Sequence, residues 1–170
     1  MINLLILYKL KNKVLTMYGI SKEIRASFSV LTTPSYGTIK PALNKLEKLK
    51  AVKTQKTMTS GGRPSTFYSI TSEGEKLLKD LLLEQPQENP VQLLTSSRIK
   101  VVCAEVLNND DKKAMFKILR EKSETMLIEI NNMLEEKNLD FYSKMVMDNL
   151  VCEYKNFIML LEGLTRACNN

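Results

Sequence analysis

The 170-residue chain contains no histidine and no tryptophan. Histidine is the side chain most often used as a general base near neutral pH, and it is the commonest metal ligand. The sequence also has no glycine-rich phosphate loop between a strand and a helix, and no motif with paired carboxylates. We therefore expect a protein that is not an enzyme and that uses neither a cofactor nor a metal.

Cysteine and long apolar runs are scarce as well. The three cysteines, Cys103, Cys152 and Cys168, are far apart and form no CxxC pair, which argues against a zinc site and a disulfide framework. Each lies in an apolar helical context, which favours a buried thiol. The apolar run Leu4–Leu7 is too short for a signal peptide or a membrane span, so we expect a cytoplasmic protein.

Basic side chains outnumber acidic ones, and they are unevenly distributed along the chain. The chain has 25 Lys+Arg against 19 Asp+Glu, a net charge of +6. Residues 1–83 carry 14 basic and 5 acidic side chains, whereas residues 84–170 carry 11 and 14. A basic first half indicates a polyanionic partner, either nucleic acid or an anionic membrane surface; a solvated lysine-rich face is the alternative.

A polar segment with two prolines, residues 85–90, separates these halves. Such segments are typical of linkers. We therefore predict one domain at 1–84, a linker at 85–90 and a second domain at 91–170.

In the first domain, the apolar spacing predicts helices over about residues 4–11 and 18–28, and a further helix that opens near Thr71. Between them, Ile39, Ala42, Leu43 and Leu46 recur on one face of another helix. Because Pro41 is tolerated best in a first turn, with Thr38 as the effective cap, we expect an irregular first turn from Ser35 and regular helix from about Ile39.

Residues 52–58 and 66–70 are rich in β-formers and flank a turn at 60–65, which predicts a hairpin. The order helix, helix, helix, hairpin, helix is that of a winged helix-turn-helix. The fold class is therefore mainly α with a small two-stranded β-wing, followed by a helical, coiled-coil-like domain. The polar face of the third helix suits the major groove, where lysines bind phosphate or guanine and asparagine binds adenine.

Four motifs occur in order along residues 4–83. They are Tyr18-Gly19; Tyr36-Gly37-Thr38-Ile39-Lys40-Pro41-Ala42-Leu43 with Leu46-Glu47; Gly61-Gly62-Arg63-Pro64; and Tyr68 with Thr71 and Glu73-Gly74. With these motifs the sequence resembles the PadR family of bacterial transcriptional regulators. The resemblance implies a dimeric repressor, relieved in some members by a small aromatic or drug-like ligand, with a helical C-terminal dimerisation domain.

The resemblance and the chemistry of the side chains together predict the DNA-contacting residues. In the helical part they are Tyr18, Ser35, Tyr36, Thr38, Lys40, Asn44, Lys45 and Lys48, and in the wing Lys56, Arg63, Ser65 and Thr66. Two positions depart from the family pattern: Lys40 replaces a tyrosine, and Lys50-Ala51 stands where a glycine usually follows the recognition helix.

The second domain has no proline after Pro90 and only one glycine. Its sequence predicts three helices: one over about 91–107, one that starts after residues 108–111 and runs to about 137, and one over about 140–167. The last helix has an apolar seam with the 3,4 spacing of a coiled coil. The seam consists of Met147, Leu150, Tyr154, Phe157, Leu161 and Leu164. We expect it to form the interface of a homodimer, and an intramolecular three-helix bundle is the alternative.

These observations predict a sequence-specific, DNA-binding transcriptional regulator, most simply a repressor. Its recognition helix, about residues 35–49, would enter the major groove of a roughly palindromic operator, and its wing, about 52–70, would contact the flanking backbone or minor groove. A small hydrophobic or aromatic effector is a further expected partner. The alternative is a winged-helix interaction module that binds an acidic protein instead of DNA.

Overall fold

The computed structural model describes residues 1–58, 62, 64–86, 89–136 and 138–169. The chain divides into two compact units, Met1–Leu82 and Leu83–Asn170. Within the linker predicted at 85–90, residues 87 and 88 lie outside the described part of the chain.

The described residues of the first unit form four helices and three short strands. In chain order they are α1 (Ile2–Leu10), β1 (Leu15–Thr16), α2 (Met17–Phe28), α3 (Tyr36–Lys48), β2 (Val52–Met58), β3 (Pro64–Ile70) and α4 (Ser72–Leu83). The winged helix-turn-helix arrangement predicted from the sequence is confirmed. The sheet is antiparallel with the order β1-β3-β2, so the predicted two-stranded wing gains a third strand that pairs Leu15 with Tyr68.

The core of this unit is formed by the apolar sides of α2 and α3 packed on α1. Leu5, Ile6 and Leu7 are completely buried, which is why α1 shows no polar face in the sequence. From α2 the core receives Ile20, Ile24 and Phe28, and from α3 it receives Ile39, Ala42, Leu43 and Leu46. The four-residue spacing of the α2 set places those side chains on one side of the helix.

The start of α3 differs from the expectation. Ser35, not Thr38, is the N-terminal cap residue, because the amides of Thr38 and Ile39 both donate to the Ser35 carbonyl at 3.0 Å. The helix therefore begins at Tyr36, and Pro41 lies inside it. Pro41 has no N–H for the carbonyl of Gly37, but Gly37 is exposed, so water can satisfy that carbonyl.

The end of α3 explains one departure from the family pattern. Lys50 has φ of 57°, in the left-handed region where glycine is usual. The amide of Ala51 donates to the Leu46 carbonyl and that of Lys50 to the Glu47 carbonyl, both at 2.9 Å. This is the pattern of a glycine-type helix stop, and here a lysine adopts it at some cost in backbone energy.

In the second unit, the part of the chain that the structure describes forms three α-helices, α5 (Pro90–Cys103), α6 (Asn109–Glu136) and α7 (Phe141–Ala167). The helix predicted over 91–107 ends at Cys103 and continues as a 3-10 turn, Ala104–Val106. Asp140 caps α7, because its carboxylate accepts from the amides of Tyr142 and Ser143 at 2.9 and 3.1 Å.

Helices α6 and α7 pack along each other, and this contact uses much of the seam predicted for a dimer. On α7, Tyr154, Phe157 and Leu161 are buried within the single chain, while Met147, Leu150 and Leu164 are partly exposed. On α6 the buried side chains are Met115, Phe116, Leu119, Ser123, Met126 and Ile130. A 3,4 repeat therefore marks the inner face of an intramolecular helix pair here.

The cysteines also differ from the expectation. Cys103 is buried as predicted, but Cys152 is exposed and Cys168 is partly exposed; none of the three forms a disulfide bond within the described residues. The helical periodicity explains Cys152, because it lies two residues before Tyr154 and so outside the buried face of α7.

Candidate nucleic-acid interface

The outward face of α3 carries most of the residues predicted to contact DNA. Its inward face is held in the core, so the opposite side chains point to solvent. Ser35, Tyr36, Thr38, Lys40, Asn44, Lys45 and Lys48 are all exposed. The structure therefore brings together seven of the twelve predicted positions, six of them on α3 and the seventh, Ser35, at its N-terminal cap.

The lysines of this face are not neutralised by neighbouring carboxylates. Lys40, Lys45 and Lys48 form no ion pair within the described residues. By contrast, Lys11 pairs with Glu75 at 2.6 Å and Lys13 with Glu23 at 2.8 Å, both in the same unit. The uncompensated positive charge of the first unit thus includes the surface of α3.

The ion pair of Glu23 has an electrostatic consequence. The hydrogen bond from Lys13 holds the pKa of the Glu23 carboxyl below its usual range, and the nearby lysine charges add to the effect. Lys13 is therefore a poor candidate for a phosphate contact, because its charge is already engaged by a surface carboxylate.

Glu47 connects α3 to the wing. Its Oε1 accepts a hydrogen bond of 2.8 Å from the Thr54 hydroxyl of β2. Burial, together with the Glu47 charge, raises the pKa of the Tyr68 phenol on β3, and Tyr68 faces Thr54 in the strand register. The carboxylate thus fixes the end of the helix to the base of the hairpin.

The described part of the wing places its predicted residues near the tip. Lys56 is exposed and lies opposite Thr66 in the ladder, and Thr57 lies opposite Ser65. Ser65 and Thr66 are partly buried, so they offer less contact area than Lys56. Arg63, also predicted to contact DNA, lies outside the described residues.

Tyr18, the remaining predicted residue, is 67 % exposed at the start of α2. It lines a groove of about 250 Å³ together with Ser21, Lys22 and Arg25 of α2 and Tyr36 of α3. The sequence-based prediction did not include Lys22 and Arg25. The signal was nevertheless present, because residues 18, 22 and 25 have the i, i+4, i+7 spacing of one helix face.

In the second unit, the exposed apolar side chains lie away from the α6–α7 contact. Met145 and Val146 on α7 and Ile128 on α6 are each more than half exposed. A separate groove of about 600 Å³ is lined by side chains of α6 and α7, among them Leu127, Ile158 and Met159. These surfaces are available to a partner or a ligand.

Two other kinds of site were not found in the described ranges. No group of three or more Cys, Asp or Glu side chains there could hold a metal ion. No helix in the same ranges combines the length and apolar character needed to cross a membrane.

The comparisons with known proteins identify the first unit. Residues 6–80 match the family model described as "Transcriptional regulator PadR-like family". The chain belongs to the PadR-like family of transcriptional regulators. A search of the curated proteins found no significant match.

Several solved structures are similar to this PadR-like chain. A transcriptional regulator from Clostridium thermocellum is 30 % identical over 46 % of this chain and 74 % of its own, with a TM-score of 0.43. Bacillus subtilis PadR in complex with operator DNA is 20 % identical over 98 % of both chains, with a TM-score of 0.48. The same protein in complex with p-coumaric acid is 18 % identical over 99 % and 96 %, with a TM-score of 0.43.

Proposed function

We propose that this PadR-like regulator binds a roughly palindromic DNA operator as a homodimer and represses transcription. In each protomer α3 enters the major groove, and the β2–β3 wing contacts the flanking backbone or minor groove. Asn44 would read an adenine edge, while Lys40, Lys45 and Lys48 would bind phosphates or guanine edges.

The observation that supports the proposal is that α3 has one buried apolar side and one exposed polar side. Ile39, Leu43 and Leu46 are at most 1 % exposed, so the helix is anchored to the core along one side. The other side presents an exposed amide and ammonium groups without ion pairs, at helical spacing. An α-helix with donors along its exposed side fits the roughly 12 Å width of the major groove.

The dimer part of the proposal rests on the second unit. Because Tyr154, Phe157 and Leu161 are already covered by the chain itself, we place the contact between copies on the apolar side chains that stay exposed. Among them we choose Ile128 of α6 and Met145, Val146 and Leu160 of α7, which are 47–60 % exposed. Met147, Leu150 and Leu164 of the predicted seam are partly exposed.

We also propose that a small hydrophobic or aromatic molecule relieves repression, as the family membership suggests. The groove lined by Leu127, Ile158 and Met159 is the candidate site, because methionine and aliphatic side chains adapt to apolar ligands. A thermal-shift series with phenolic acids tests this directly. A ligand that raises the melting temperature of the wild type but not of Met159→Asp supports the site, and no shift with any ligand contradicts it.

The experiment for the DNA-binding function is operator selection from genomic fragments, followed by fluorescence anisotropy over a salt series. We expect dissociation constants in the range of about 10⁻⁸ to 10⁻¹¹ M for the selected duplex and a steep loss of affinity with salt. The triple variant Lys40→Ala, Asn44→Ala, Lys48→Ala should lose the preference for that duplex over an unrelated one.

The same titrations distinguish the alternative function. If the wild type shows no sequence preference at any salt concentration, the proposal is wrong. If the triple variant binds DNA like the wild type but no longer captures an acidic protein, the winged helix is an interaction module.

Size-exclusion chromatography with light scattering tests the dimer. The double variant Val146→Glu with Leu160→Glu should be monomeric, whereas an unchanged dimer would place the interface elsewhere.

A further inference from the structure

The groove lined by α6 and α7 contains charged side chains that a purely hydrophobic effector would leave unused. Its volume of about 600 Å³ is within the range of small-molecule sites. Besides the apolar side chains named above, its lining includes two carboxylates, those of Glu124 and Glu162, and one ammonium group, that of Lys155. The lining thus has one negative charge in excess, which favours a cationic ligand.

The two acidic residues of this groove are also less accessible to water than the lysine. Glu124 and Glu162 are partly buried, whereas Lys155 is exposed. Water and salt screen an exposed charge more strongly than a partly buried one, so the carboxylates dominate the electrostatic potential inside the groove. Lys155, Met159 and Glu162 have the i, i+4, i+7 spacing of one helix face, and Lys155 precedes Glu162 by about 10 Å along α7. A cation at Glu162 is therefore separated from Lys155 by Met159.

Glu162 is the carboxylate whose charge is available to a ligand. Oε1 of Glu124 already lies 3.4 Å from Nε of Arg120. Glu162 forms no ion pair with any residue that the structure describes. Ile158, one turn earlier in α7, and Met159 line the same groove and provide apolar surface near this carboxylate. An anionic group beside an apolar wall is complementary to a molecule with a cationic head and an apolar body.

We infer that this groove binds a small amphiphilic cation, an apolar or aromatic body that carries one ammonium group. The ammonium group donates hydrogen bonds to the Glu162 carboxylate, and the body packs on Leu127, Ile158 and Met159. The inference rests on the effector site proposed above and names the chemical class of its ligand. An aromatic carboxylate of the same size brings a like charge towards Glu162 and therefore binds more weakly.

The test uses three probes that share a naphthalene ring and differ in the charge of the head group. They are naphthylmethylammonium, naphthylmethanol and naphthylacetate, titrated into the full chain by calorimetry at neutral pH. We expect the ammonium probe to bind about threefold to tenfold more tightly than the alcohol, and the carboxylate to bind most weakly. The difference between the ammonium probe and the alcohol should shrink as salt is added, because salt screens the contact with the carboxylate.

Two variants of the groove should change the affinity for the ammonium probe in opposite directions. Glu162→Gln keeps the shape of the side chain and should remove the preference for the ammonium probe over the alcohol. Lys155→Gln removes a repulsive charge and should tighten binding of the ammonium probe by about twofold. The matched control is Asp148→Asn, because Asp148 is exposed on the same helix and lies about 21 Å from Glu162 along its axis, beyond the range of screened charges. The melting temperatures of the three variants without ligand should match that of the wild type.

The outcomes separate this inference from the proposed effector site. If the alcohol or the carboxylate binds as tightly as the ammonium probe, or if Glu162→Gln keeps the preference, the inference is wrong and the effector site stands. If none of the three probes binds, the effector site itself has failed, and the inference fails with it. If Glu162→Gln turns a dimer into monomers in light scattering, the groove is covered by a second copy of the chain, which also overturns the inference.

Discussion

Replacing Gly74 by alanine should destabilise the first unit, although alanine is the better helix former. Gly74 lies in the first turn of α4, where its amide donates to the Thr71 hydroxyl at 3.1 Å. A Cβ at this position would overlap the carbonyl oxygen of Ala51 and would lie 2.7 Å from Cγ1 of Ile70. The carbon of the same carbonyl would be 2.9 Å away.

The Ala51 carbonyl cannot move aside freely. It accepts the Thr71 amide at 3.1 Å, and the amide of Ala51 is bound to the Leu46 carbonyl. Overpacking of this kind costs about 1–3 kcal/mol, and a broken Thr71–Ala51 hydrogen bond adds about 1 kcal/mol. The gain from helix propensity is at most about 1 kcal/mol. We expect a net destabilisation of about 3 kcal/mol, at the upper end of these values.

Urea unfolding followed by circular dichroism measures this destabilisation as a lower transition midpoint of the first unit. Gly163→Ala in α7 is the matched control, because a Cβ there meets nothing within 4 Å. The control should be neutral or more stable by up to about 1 kcal/mol. If Gly74→Ala is as stable as the wild type, the close approach of α4 to the α3–β2 turn has been misjudged.

Three further predictions concern other parts of the chain. Lys50→Gly should stabilise the first unit by about 0.5–1 kcal/mol in the same assay, because φ is 57° there; a loss of stability would mean that the lysine side chain matters more than its backbone. Asn44→Ala should cost about 1–3 kcal/mol of discrimination between the operator and a duplex with a substituted adenine, measured by anisotropy; an unchanged ratio would remove Asn44 from base reading. Hydrogen bonds from Ser143 hold the pKa of Asp140 below its usual value, so its capping contribution is present at neutral pH and is lost as the pH falls below roughly 4. In Asp140→Asn, the stability of α7 should therefore depend less on pH in the acid range than it does in the wild type. An identical dependence of stability on pH in both proteins would contradict this.

Much of the first unit could be predicted because its signals are local. The spacing of Ile39, Leu43 and Leu46 determines which side of α3 is buried, and the opposite side is then necessarily exposed. The β-formers of 52–58 and 66–70 predict the hairpin in the same way. The strand Leu15–Thr16 could not be predicted, because two residues carry no periodicity and pair with β3 only after the chain has folded.

The groove between α2 and α3 illustrates a different limit. The stripe of Tyr18, Lys22 and Arg25 was visible as helical spacing, but its association with Tyr36 of α3 depends on how the two helices cross. Likewise, the 3,4 repeat of α7 predicts an apolar seam without saying which helix covers it. The burial of Tyr154 and Phe157 inside one chain is decided by the packing of α6 on α7.

The sequence by itself determined the class of the protein: a basic winged-helix half with PadR-like motifs, and a helical half with a 3,4 apolar repeat in its last helix. These features depend on composition and on contacts between near neighbours. Only the tertiary structure decided where α3 begins, why a lysine stands at its end, which lysines are already paired, and which apolar faces remain exposed. These properties depend on contacts between residues distant in the sequence, such as Ala51 with Gly74 and Glu47 with Thr54.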